Sequence, residues 1–136
     1  MNIELTDKEF RRLLDLIYIG NWVLNSARGD DRFEDYDVLE EKFFAKCLVS
    51  PKFRGLAQVF KRRAYPSRDY EEGGIHEAIA DYEDTVFFEI LAEELARRDM
   101  NFEPISPENY SELAVRIDEY ISEFEKNGVD NISIDL

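Results

Sequence analysis

One cysteine, one histidine and no long apolar run in 136 residues narrow the chemistry before any pattern is sought. A lone Cys47 excludes an intrachain disulfide and a cysteine zinc cluster. Its neighbours, PheAlaLysCysLeuVal, mark it as a small core residue rather than a nucleophile. No stretch approaches the ~18 uninterrupted apolar residues of a spanning helix. The opening MNIELTDKEF carries charges where a signal peptide needs an apolar core, so a cytoplasmic location is expected. No internal repeat or low-complexity run is present. Glycine-rich phosphate loops, a nucleophile elbow and a His-Glu metalloprotease pattern are all missing, and no cofactor is expected.

Basic residues are scarce in one half only. Residues 1–68 hold 13 basic and 11 acidic side chains, whereas residues 69–136 hold 4 and 20, giving +2 and −16 and a total of −14. Such a field disfavours duplex DNA and anionic lipid, since phosphate neutralisation has no source in the second half. It suits a basic protein as partner, or a solvated surface that keeps the chain soluble. With 44% hydrophobic residues, ten Phe and seven Tyr, a packed core is within reach. The length fits a single acidic helical domain over 1–136, burying roughly two thirds of its unfolded surface.

Thr6 and Glu9 form a capping box and Leu5 and Phe10 a hydrophobic staple, so a helix begins there. The stretch 16–24, LIYIGNWVL, is apolar on nearly every side, as a central helix requires. Arg28 and Gly29 close it. A second helix over 32–49 turns Phe33, Tyr36, Leu39, Phe43 and Cys47 to one face. Ser50 and Pro51 open a third, with Phe53, Leu56, Ala57 and Phe60 as its stripe, and Pro66 stops it. Residues 67–74 read as a loop whose paired glycines make it the best hinge. A fourth helix covers 75–99, and Ser106 and Pro107 start a fifth that ends at Lys126, Asn127 and Gly128. Both termini alternate, Ile3 and Leu5 at one end and Ile132, Ile134 and Leu136 at the other, so the expectation is a short ribbon between them or an unpaired tail that adds to a partner's edge. The expected architecture is all-α: a bundle of four long helices, one shorter helix and a terminal ribbon.

Three groups of residues are candidates for function. His76 and Glu83, seven apart, lie within ~20° on the helix but about 10.5 Å along it. Ile79, Phe87 and Ile90 share their arc, and Glu94 follows in line. Partly desolvated carboxylates beside an imidazole can serve as a general acid or base, with Asp84 assisting, or hold a metal. Against that, bundle di-metal sites need Glu and His three apart and two histidines, which this chain lacks. Asn21 sits within an apolar stripe, and burying its amide unpaired costs on the order of 1–3 kcal/mol. It must bond inside the chain or meet its counterpart across a two-fold axis. Gly20 permits close approach there, and Trp22 completes that interface. Lys61, Arg62 and Arg63, in an acid-free segment, are the candidate anion site. These features favour a non-catalytic protein-interaction module that homodimerises. The alternatives are a small enzyme or metal-binding protein using the His/Glu site, and an acidic decoy for a basic protein.

Overall fold

A computed structural model describes residues 1–136. It is mostly helical, with four long helices and one small antiparallel hairpin. Helix α1 (Asp7–Asn25) starts with both hydrogen bonds of the capping box between Thr6 and Glu9 in place. Helix α2 (Glu34–Leu48) follows a short turn. Strands β1 (Ala57–Phe60) and β2 (Arg63–Pro66) pair antiparallel, with Val59 opposite Ala64 and Phe60 opposite Arg63. Helix α3 (His76–Asp99) is the longest, and α4 (Tyr110–Asn127) ends at Gly128, whose positive φ of 56° favours glycine. No helix is long and apolar enough to cross a membrane.

Contacts within the chain group into two compact units, Met1–Ile79 and Ala80–Leu136. The core of the first contains Leu14, Tyr18, Phe44, Cys47, Phe53, Tyr70, Ile75 and Ile79. Ring packing dominates it: Tyr70 meets Phe44 at 5.0 Å and Tyr18 at 5.3 Å, both edge to face, the arrangement ring quadrupoles favour. The second unit buries Ala92, Ala96, Met100, Leu113 and Phe124, with one ring among them.

Several sequence expectations are overturned. The third helix is a hairpin: β2 follows the period of two, with Ala64 and Pro66 inward and Arg63 and Tyr65 outward, whereas β1 buries Ala57 alone and leaves Gln58, Val59 and Phe60 exposed. Its two-residue turn, Lys61 and Arg62, has φ of 48° and 65°, the mirror-image turn that hairpins require. Because Asn and Gly, the usual residues of that turn, are missing, the hairpin was hidden in the sequence. The ribbon of the two termini does not form. Both ends lack strand structure, and Ile3, Ile132 and Ile134 stay exposed.

Helix α2 is rotated from the apolar arc. Asp37, Glu40, Phe44 and Cys47 turn inward, while Phe33, Tyr36 and Leu39 are exposed. On α3, Phe87 and Ile90 are likewise exposed. The proposed hinge is structured: Ser67 caps a helical turn, Tyr70 is buried, and Gly74, at φ 111°, kinks the chain into α3.

Candidate functional site

The rotation of α2 creates the first site. Asn21 and Asn25, one helical turn apart on α1, are both buried and face it. Asn25 donates to Asn21 Oδ1 at 2.7 Å and to the Phe33 carbonyl at 3.1 Å, and its own Oδ1 accepts from the Phe33 N–H at 2.8 Å. Phe33 is the residue from which α2 starts, and it makes no side-chain cap of its own. An amide on α1 thus does the capping for α2. Asn21 completes the chain by donating to Asp37 at 3.0 Å. Arg32 grips the same carboxylate with two bonds, at 3.0 and 2.8 Å. That pairing holds the Asp37 carboxyl below its ordinary range, with the Asn21 and Asn25 amides adding to the effect.

Glu40, one turn further, has no such partner. Burial pushes its carboxyl up to about 7, and the nearby Asp37 charge acts in the same direction while the Asn21 amide and Arg32 oppose it. Glu40 opens into a cleft of about 310 Å3 shared with Tyr18, Trp22 and Tyr65, and into a smaller one of about 230 Å3 that Arg63 also lines. The Tyr18 hydroxyl and His76 Nε2 are hydrogen-bonded at 2.7 Å, and the Trp22 ring stands edge to face on the imidazole at 4.8 Å. Burial, followed by the Glu71 and Glu40 charges, raises the Tyr18 hydroxyl to about 12, so the phenol stays neutral.

The second unit carries a groove of about 900 Å3. Phe88, Ile117, Ile121 and Phe124 supply its apolar surface, with Phe88 and Phe124 in ring contact at 5.3 Å. Every charged residue that lines it is acidic: Asp84, Glu89, Glu93 and Glu125. This unit holds 16 acids against 4 bases, a net −12, whereas Met1–Ile79 holds 15 against 13, a net −2.

The sequence candidates are scattered by this geometry. His76 is half-buried against Tyr18 and Trp22, while Glu83 and Glu94 are exposed, so the desolvated His/Glu face does not form. Asp84 lies on the rim of the groove. No group of three or more His, Cys, Asp or Glu side chains is gathered for a metal, His76 and Glu83 included. Asn21 finds its partners inside the chain, Gly20 is exposed, and Trp22 is half-buried. Lys61, Arg62 and Arg63 stand exposed at the hairpin tip, and none forms an ion pair. Glu40, the centre of the polar cleft, was missed; the signal was its place three residues after Asp37 and four before Phe44 on one helical stripe.

Compared with known protein families, with curated proteins and with solved structures, the chain matches none.

Proposed function

We propose that the protein is a non-catalytic interaction module that pairs with a second copy of itself, the basic hairpin of one copy entering the acid-rimmed groove of the other. The supporting observation is complementarity within one sequence. The groove has four acids and no base along its lining. The hairpin tip presents Lys61, Arg62 and Arg63 beside Val59 and Phe60, which are 62% and 61% exposed, in a stretch of 52–68 without an acid. Apolar groups enter the groove and cations meet its rim, so attraction steers the encounter and apolar burial holds it. The reading keeps the homodimer and the basic partner expected from the sequence, and moves the contact away from Asn21, Gly20 and Trp22. A cytoplasmic location goes with it, where the free and buried Cys47 stays a thiol.

Light scattering at tens of micromolar tests it. The expected result is a dimer in low salt that dissociates towards 0.5 M salt, because a contact between charged rims is screened. Reversing the hairpin (Lys61→Glu with Arg62→Glu) or the rim (Glu89→Lys with Glu93→Lys) yields monomers, and mixing the two variants restores a pair. A chain that is monomeric at every salt concentration overturns self-pairing. So does a monomer whose groove binds only an added Lys/Arg-rich amphipathic peptide, which transfers the groove to a foreign basic protein.

A further inference from the structure

We propose that the cleft beside Glu40 in the first unit is a receptor for a small organic cation of the quaternary or methylated ammonium class. Three features converge on that chemistry, and none depends on the self-pairing above.

The first is charge. Of the charged groups lining the 310 Å3 cleft, Arg32 and Asp37 already neutralise each other through two hydrogen bonds. Glu40 is left as the one carboxylate without a cation. A half-buried carboxylate in that position favours a ligand that brings positive charge and little need for water.

The second feature is the wall. Tyr18, Trp22 and Tyr65 line the same cleft as the carboxylate, from α1 and from β2. The chain's own cations sit over Tyr70, Phe33, Phe53 and Phe60 and over none of these three. Tyr18 is packed against Trp22, Tyr70 and His76, so Trp22 and Tyr65 offer the more accessible ring surface. Aromatic faces attract a cation through the ring quadrupole, most strongly when its hydration shell is weak, as it is for an alkylated ammonium. A sodium ion keeps its water and gains little there.

The third is the neutrality of the phenol in the wall. The Tyr18 hydroxyl is hydrogen-bonded to His76 Nε2 at 2.7 Å and is held neutral, so Glu40 is the one anion of the cleft that Arg32 does not pair. The volume is at the lower limit of small-molecule sites, which restricts the ligand to a compact headgroup.

Trp22, the only tryptophan, lies in the wall and reports occupancy directly. The experiment titrates the full chain, at low micromolar concentration and constant ionic strength, with tetramethylammonium chloride against sodium chloride. The expected result is a saturable change in Trp22 emission with tetramethylammonium alone. Glu40→Gln weakens binding at least tenfold, and Tyr65→Leu, at a partly exposed hairpin position, weakens it severalfold. Affinity of the parent rises about tenfold from pH 6 to pH 8, because the Glu40 carboxyl titrates near 7 and only its ionised form attracts the ligand. The Glu40→Gln chain shows no such rise, which separates Glu40 from the other titratable and charged groups that line the cleft, Asp37, Arg32, Tyr18 and Tyr65, and from those beside it, Glu71, His76 and Arg63. An equal response to sodium chloride, undiminished binding in Glu40→Gln or Tyr65→Leu, or parent affinity that does not rise with pH overturns the proposal.

Discussion

The two units solve the same packing problem with opposite materials. Met1–Ile79 is almost neutral and buries large rings together with two asparagines, so its interior has both dispersion and directional bonds. Ala80–Leu136 carries −12, buries Ala92 and Ala96 completely, and keeps Tyr82, Phe87, Ile90 and Tyr110 exposed. Polar side chains inside the first unit set which groups meet, since each unpaired amide is penalised. Acidic side chains on the second set what can approach it from outside. In one unit polarity specifies an interior, in the other a surface.

The largest test of that contrast is Asn25→Ala. It leaves the Phe33 N–H and the Asn21 oxygen without their partner, while the Phe33 carbonyl keeps only the Tyr36 N–H, and destabilises the first unit by roughly 2–3 kcal/mol. Urea unfolding followed by Trp22 emission measures it. An unchanged midpoint would remove the claim that the asparagine pair organises this interior.

A smaller effect of opposite sign is expected at Glu40. Its folded carboxyl titrates near 7, above its ordinary 4.5, so the unfolded chain ionises first as pH rises. Stability contributed by this group is therefore full below about 4.5, declines between there and 7, and stays reduced above. Glu40→Gln lacks the penalty. Discounting for solvent screening at a half-buried site, it stabilises the chain by about 1–2 kcal/mol at pH 8 and by nothing comparable at pH 4. Denaturation at the two pH values decides the matter, and an equal gain at both excludes the titration as its cause.

The smallest prediction concerns the turn. Lys61→Asn with Arg62→Gly places residues tolerant of positive φ where Lys and Arg now sit, and raises stability by about 0.5–1 kcal/mol. A lower melting temperature in that variant would mean that the Lys and Arg side chains outweigh the backbone strain.

The fold was legible in the sequence wherever local grammar ruled. Helix α1 announced itself through Thr6 and Glu9, and α4 through its glycine stop, because caps and stops are made by neighbours in the chain. The hairpin was not legible: four apolar residues at 53, 56, 57 and 60 satisfy a helical stripe, and a Lys–Arg turn lacks the glycine that betrays a reversal. The inward face of α2 was hidden for a different reason. Apolar residues were assigned to the inward face, yet Asp37 and Glu40 are half-buried on it, Asp37 because Asn21, Asn25 and Arg32, all outside that helix, bond its carboxylate. The polar cleft is therefore a property of tertiary pairing, and only Asn21 pointed towards it. The acidic excess of the second half was plain from composition, whereas its concentration around an apolar groove required the packing of α3 on α4.

Gly74 has a consequence of its own. A φ of 111° is open to glycine at little cost, and that one residue turns the backbone just before the long helix begins. Each residue added to or removed from an α-helix swings the side chains beyond it by about 100°. The junction thus acts as a phase dial: a single insertion or deletion between Tyr70 and His76 would carry the imidazole away from Tyr18 while leaving every helix intact. Spacing across that junction, more than the identity of its glutamates, is what keeps the ring wall and the first turn of the long helix in step.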